Sequence, residues 1–316
     1  MATYTDRTRV LHVNDVAGVP SALVRAANAH GRSWRLRSLP PVRPPMWRAA
    51  LERAADLTRW MGERGLAEVL HVHYGPNGYL SWGSARPHVL HLHGTDVRVD
   101  LHRSGAGWLT RRSILEADAV VYATEDLADA VRELRPDATW VPNPLPPGIL
   151  DRSTPAPVPG RVVFCSRWEE SKGGAAMVEA ATTMVDVGVQ VHGLDWGDLA
   201  DRAKACGVVL YPRMSQEDYW DFLAQAHLVV GQHSFGVPGT SELQAMALGR
   251  PVVMDAPGVP VIASTRTDLV DVVREALADP DRLEQVGGTG RSWVLDHHAP
   301  VVSVHALEQI YRRITS

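Results

Sequence analysis

The chain has 316 residues, 45% of them hydrophobic and 22% charged, with a net charge of −4. That length points to two domains of roughly 150 residues, and the composition is that of an ordinary globular protein, which excludes disordered and fibrous classes. No window approaches the roughly 20 apolar residues of a membrane span, the amino terminus lacks a signal-peptide core, and Cys165 and Cys206 show no metal-ligand spacing, so a reduced, cytoplasmic protein is expected.

In chain order, Arg9 to Val13 reads as a strand and Asn14 to Pro20 as the loop after it, with Ser21 capping a helix that runs to about His30. This is the first strand-loop-helix of a Rossmann-like domain, but the G-x-G-x-x-G fingerprint is absent, and only Gly18 would let backbone approach a ligand. Pro40 to Pro45 reads as a proline-rich turn into a helix from Met46 to Arg64. Residues 1–150 carry 18 arginines and no lysine against 15 acids, a balance of +3, while residues 151–316 stand at −7. The arginines from Arg32 to Arg64 suit either a solvated helix face or an acidic acceptor or membrane surface.

Val69-Leu70-His71-Val72-His73 and His88-Val89-Leu90-His91-Leu92-His93 read as buried parallel strands, each ending in a loop. Histidines two apart share a strand face. No carboxylate or cysteine completes a metal set by local spacing, so no metal is expected, and His93, with Asp96 nearby, is the candidate for touching a substrate. Ala119 to Ala123 reads as a strand and Glu125 to Leu134 as a helix. The proline-rich segment from Pro144 to Pro159 reads as an interdomain linker between domains at 1–150 and 151–316, the last helix being free to cross back.

The second half repeats the alternation. Val162-Val163-Phe164 enters a turn carrying Arg167 and Lys172, five apart, ahead of a helix. Such a turn lies at the carboxyl edge of a parallel sheet, where open α/β folds bind ligands. Only Lys172 and Lys204 are lysines, so an ammonium beside a guanidinium here is not a matter of composition, and the pair suits a diphosphate. Gly193, Arg213 and Met214 lie after later strands. In the segment Gln232 to Gly249, glycines and Pro238 make a loop and Ser241 can cap a helix. The amides around Gly239, Thr240 and Ser241 could cradle the same anion. Asp279-Pro280-Asp281 lies in a polar helix-turn, Ala276 to Val286, and is read as incidental rather than metal-binding.

In this order the pieces resemble glycosyltransferase family 4, retaining enzymes of the two-domain GT-B architecture. The resemblance rests on Ser166-Arg167 to Lys172-Gly173 and on Glu242-Leu243-Gln244-Ala245-Met246-Ala247-Leu248-Gly249-Arg250-Pro251-Val252. His93-Gly94-Thr95-Asp96, Val141-Pro142-Asn143-Pro144 and the Asn14 to Gly18 loop also fall where the family has counterparts. It implies an α/β fold of two Rossmann-like domains facing a central cleft, an acceptor-side domain first and a nucleotide-sugar donor domain second. One departure stands out: where the family has two glutamates eight apart, this chain has Gly236 and Gln244, leaving Glu242 as the motif's only carboxylate.

The implied activity is transfer of a sugar from a nucleotide-sugar to a small-molecule, glycan or lipid-linked acceptor, with retention and without a metal or other cofactor. His93, Arg167, Lys172 and Glu242 are the implied catalytic residues. Gly18, Gly193, Arg213, Met214, Gly239, Thr240, Ser241 and Gln244 are the candidates for holding the donor. Tyr79, Trp82 and Trp108 could stack on an acceptor or belong to the core. A nucleotide-sugar epimerase needs an acid/base pair at the sugar, which a single motif carboxylate does not supply. A non-catalytic binder has no need of leaving-group cations. Neither nucleic acid nor a membrane span is implied, and arginine usage points to a GC-rich, bacterial genome.

Overall fold

The computed structural model describes residues 3–40 and 46–316; the expected turn from Pro40 to Pro45, and Arg43 with it, falls outside them after its first residue. The chain divides into two compact units, Met1–Pro147 with Pro300–Ser316, and Gly148–Ala299.

The first unit runs β1 (Arg9–Val13), α1 (Val19–Ala29), β2 (Ser33–Arg37), α2 (Met46–Glu63), β3 (Val69–His73), β4 (His88–Leu92), α3 (Thr95–Arg98), α4 (Ala106–Glu116), β5 (Ala119–Tyr122), α5 (Ala128–Leu134) and β6 (Thr139–Trp140). The second runs β7 (Arg161–Phe164), α6 (Gly174–Asp186), β8 (Gln190–Leu194), α7 (Ala200–Ala205), β9 (Val209–Tyr211), α8 (Gln216–Ala224), β10 (Leu228–Val230), α9 (Thr240–Ala247), β11 (Val252–Met254), β12 (Ile262–Ala263), α10 (Leu269–Leu277) and α11 (Pro280–His298). The last helix, α12 (Pro300–Thr315), belongs to the first unit.

Each unit holds one six-stranded, all-parallel sheet, ordered β2-β1-β3-β4-β5-β6 and β12-β11-β10-β7-β8-β9. Parallel neighbours need crossover connections, so helices cover both faces and the central strands read as near-continuous apolar runs. In the first unit one face packs Val10, Val69, Val89 and Val121 against Leu23 of α1 and Leu307 and Tyr311 of α12. The other packs Val72, Leu90, Leu92 and Val120 against Ile114 and Val131. The second unit has the doubly wound order that reverses between β7 and β10, and ligands of such sheets bind beyond the carboxyl ends of the strands at that reversal.

Several boundaries differ from the sequence expectation, each for a local reason. Helix α1 starts at Val19 with Gly18, not Ser21, at its N-cap. Gly18 has φ 74° and open space around it, so the left-handed turn rather than crowding calls for glycine. The Ser21 amide and hydroxyl both bond the Asp15 carboxylate instead. The first turn of the Glu125–Leu134 segment is a 3-10 helix, Glu125–Leu127. The expected polar helix-turn over 276–286 is a junction of two helices, α10 ending at Leu277 and the 19-residue α11 starting at Pro280. Asp279 caps α11 by accepting from the Arg282 amide at 3.0 Å, a structural use for that carboxylate.

Candidate active site

The loop after β7 carries Ser166, Arg167 and Lys172, and the loop after β10 leads through Gly239 into α9, so both sit at the sheet reversal of the second unit. Glu242 ties them together. It is 2% exposed; its Oε1 accepts from the Ser166 hydroxyl at 3.2 Å and the Gln232 amide at 2.9 Å, and its Oε2 accepts from the Gly239 amide at 3.0 Å. This reach back to the N-cap starts α9 at Thr240 rather than after Ser241. Burial, followed by the charge of Glu242, pushes the neighbouring Cys165 thiol well above its ordinary range, so it is an unreactive packing group.

The Glu242 carboxylate therefore braces two loops. Glu242→Ala would orphan the buried Gln232 amide, the half-buried Gly239 amide and a hydroxyl, and we expect a loss of about 3 kcal/mol, a fall in Tm of about 6–12 °C. Glu242→Gln, which keeps one acceptor but turns an N–H toward a donor, should recover part of it. An alanine variant melting with the wild type in a calorimetric scan would rule the brace out.

The other candidates of this unit fall into three groups. Arg167 and Lys172 are at the loop surface: Arg167 pairs with Glu169 at 2.9 Å, and the Lys172 ammonium lies 4.9 Å from the Phe235 ring centre, on the loop after β10. Thr240 and Ser241 head α9, where the first N–H groups have no partner within the helix. Gln244 is turned inward, 7% exposed, its carbonyl accepting from the Trp220 indole at 2.8 Å. Gly193 lies against the Trp168 ring, which a Cβ there would meet at 2.9 Å, so only glycine lets that indole close over β8. Arg213 is exposed and Met214 half-buried in the loop after β9.

Two residues at this edge carry no mark in the sequence reading. Trp196, 40% exposed after β8, has the Arg167 and Arg213 guanidinia 5.1 and 4.4 Å from its ring centre. A flat indole beside two cations offers a stacking surface for a planar ligand group. His233, 7% exposed, binds the Gly231 carbonyl through Nδ1, and its buried Nε2 has no hydrogen-bond partner. Burial lowers its pKa, so it is neutral. An aromatic and a histidine in glycine-rich loops are the signals that could have marked them.

In the first unit, His93 follows β4 and Asp96 holds its loop. The Asp96 carboxylate is fully buried and accepts from the amides of Gly75, His93, Gly94 and Val97 at 2.7–3.1 Å. Burial raises its pKa against the pull of those four amides. Asp96 thus positions His93 rather than presenting a free carboxylate. Gly18 lies in the loop after β1, where Asn14 (φ 77°) and Ala17 (φ 52°) are also left-handed.

Behind His93, the register places His12, His71, His73 and His91 on one sheet face. Three nitrogens from His12, His71 and His73, and three from His73, His91 and His93, lie within 4.8 Å of one another, close enough for a metal site. The rings, however, are stacked, His71 on His73 at 4.4 Å and 7° and His91 on His93 at 4.4 Å and 19°. The same nitrogens also bond one another, His12 to His73 and His73 to His93.

Of the expected acceptor aromatics, Trp108 is 57% exposed and stands edge-on to Trp82, with Arg112 4.3 Å from the Trp82 ring centre. The Tyr79 hydroxyl accepts from Arg53 at 2.9 Å. The arginine-rich stretch divides: Arg32 pairs with Glu308, Arg37 with Asp56 and Glu63, and Arg53 with Asp56, while Arg35, Arg48 and Arg59 are exposed. On α2, Trp47, Leu51 and Met61 share one side and are each about 60% exposed.

A glycosyl transferase 4-like domain model matches residues 8–144, and a glycosyl transferase-like domain model matches residues 170–309. No curated protein matches the chain. Among solved structures, a sucrose-phosphate synthase from Thermosynechococcus elongatus is similar at a TM-score of 0.73 and 15% identity, over 98% of this chain and 99% of that one. HepE from Anabaena, in complex with UDP and glucose, is similar at 0.70 and 14%, over 96% and 99%. A UDP-N-acetylglucosamine 2-epimerase from Listeria monocytogenes, so described provisionally, is similar at 0.63 and 12%, over 95% of each. At these identities the likenesses show the GT-B fold, which transferases and epimerases share.

Proposed function

From the match of residues 8–144 to a glycosyl transferase 4-like domain and of residues 170–309 to a glycosyl transferase-like domain, we propose that the chain moves a sugar from a nucleotide-sugar to an acceptor, with retention at the anomeric carbon and without a metal. The observation that carries this reading is the meeting of the Lys172 loop and the Glu242-braced start of α9 at the sheet reversal. Breaking the anomeric C–O bond leaves new negative charge on a nucleoside diphosphate. A lysine, an arginine and helix-terminal amides held at that edge can stabilise it without a divalent ion. Trp196, with Arg167 and Arg213, supplies a surface for the base. His93, after β4 of the first unit, is the residue proposed there to meet a substrate hydroxyl. The UDP held by HepE makes uridine the first base to test.

The test is a thermal-shift panel of UDP, GDP, ADP and dTDP with and without EDTA, followed by NMR of the product's anomeric proton. A nucleotide at 100 times its Kd should add about 2.7 kcal/mol of stability, unchanged by EDTA, and the product should keep the donor's configuration. An inverted product, or a shift that EDTA abolishes, would overturn retention or metal independence respectively. Release of an epimerised sugar would favour the epimerase reading.

A lipid-linked acceptor at a membrane surface is supported by α2, whose exposed Trp47, Leu51 and Met61 are flanked by Arg48 and Arg59. None of the described helices is long and apolar enough to cross a membrane. The protein should co-sediment with vesicles containing phosphatidylglycerol and not with pure phosphatidylcholine, and Trp47→Ser with Leu51→Ser should weaken it at least tenfold. Equal recovery of this variant and the wild type would remove the membrane from the proposal.

A further inference from the structure

Five histidines and a tyrosine in the first unit are joined end to end. His93 Nε2 meets His73 Nδ1 at 2.9 Å, and His73 Nε2 meets His12 Nδ1 at 2.9 Å. His12 Nε2 lies 3.5 Å from the Tyr311 hydroxyl, which is 2.5 Å from His71 Nδ1. His71 Nε2 meets His91 Nδ1 at 3.2 Å, and the file ends at His91 Nε2, buried without a partner. His12, His71, His73 and His91 are at most 1% exposed, and His93 alone of the five is partly exposed. The contributing strands β1, β3 and β4 are neighbours, and Tyr311 comes from α12, 240 positions from His71.

Burial lowers all five imidazole pKa values, so each ring is neutral, with one N–H and one bare nitrogen. A file of such groups has only two satisfied senses, because each ring must donate at one end and accept at the other. The short Tyr311–His71 contact selects between them, since a phenol O–H is a stronger donor than a neutral imidazole N–H. With Tyr311 donating to His71 Nδ1, its oxygen is left to accept from His12 Nε2–H. His12 Nδ1 then accepts from His73 Nε2–H, and His73 Nδ1 from His93 Nε2–H. The nitrogen left over at the open end is His93 Nδ1.

We propose that this file is one tautomerically coupled unit, in which Tyr311 acts as a positioning residue that keeps His93 Nδ1 bare, as an acceptor for a substrate hydroxyl. Every ring in the file is then the Nε2–H tautomer. His91 Nε2–H bears the orphaned end, deep in the core and away from the working end. The consequence for substrate rests on the assignment of His93 made above; the tautomer pattern does not. A metal held by the same nitrogens is the competing reading, and it is part of the test.

The experiment is ¹⁵N-histidine NMR on the full chain at pH 7.5, with signals assigned from single His→Gln variants. All five rings should show a protonated Nε2 and a bare Nδ1. A protonated Nδ1 at His93, His73 or His12 in the wild type would overturn the proposal without any further variant. Tyr311→Phe removes only the linking oxygen. It should let protonated Nδ1 appear at His93, while His71 and His91, on the far side of the cut, change separately. An unchanged His93 in a folded Tyr311→Phe would also overturn it. Zinc or nickel at equimolar concentration should leave these signals in place; their movement would make the cluster a metal site and sink the file. Once a donor is known, Tyr311→Phe should lower kcat about fivefold, the worth of one orienting hydrogen bond, with nucleotide binding unchanged. If the tautomer shifts and kcat does not, the file stands and the contact of His93 with substrate falls.

Discussion

Between pH 6.5 and pH 5 the first unit is expected to lose roughly 8 kcal/mol of stability. The cause is the buried histidine file. Burial holds His12 and His93 down to about 3, and burial with the neighbouring imidazoles holds His71, His73 and His91 well below the ordinary 6.5. The folded unit therefore takes up none of these protons at pH 5, whereas the unfolded chain begins to take them up at 6.5. Stability is whole above 6.5 and drains as pH falls below it, over a window reaching down to the folded values. Each histidine contributes about 1.4 kcal/mol per pH unit once the unfolded form is charged, so five together approach 7 kcal/mol per unit. A whole domain is stable by only about 5–15 kcal/mol. Acid unfolding should thus fall between pH 5 and 6, be steep, and take up about five protons. Circular dichroism with potentiometric titration would check it. A first unit still folded at pH 4 would mean that the imidazoles are hydrated or charged in the native state.

Replacing Lys172 with alanine is expected to lower kcat by about 10²–10³, or about 2.7–4 kcal/mol of transition-state stabilisation. The ammonium bridges the loops after β7 and β10 through its position over Phe235, at the edge where the leaving diphosphate is proposed to sit. Its charge matters most when the C–O bond has broken and the diphosphate has gained charge, so kcat should fall further than nucleotide affinity. Lys172→Arg should not restore the rate, because a planar fork on a longer stem cannot place a point charge where the ammonium stood. Steady-state kinetics beside the nucleotide thermal shift separates the effects. Turnover within threefold of wild type would move the anion site elsewhere.

Much of this was legible in the chain itself. Apolar runs alternating with helical segments determined an α/β protein with parallel sheets, because strands buried on both faces must read that way. The turn bearing Arg167 and Lys172, the helix after Gly239, and His93 at a strand end were marked by local order alone. What local order does not encode is the direction in which a side chain faces and what meets it from far away. Glu242 and Gln244 look alike as polar residues of a binding motif. Only the packed structure turned the first onto Ser166, Gln232 and Gly239 and the second onto Trp220. Trp196 acquired its cations from two different loops. The histidine pairs of β3 and β4 were visible as pairs, but their union with His12 and Tyr311 depended on strand order, parallel register and the return of α12 to the first unit. Those are non-local choices, made by burying whole sheet faces, and they are why the buried chemistry of this protein appears only once the chain is folded.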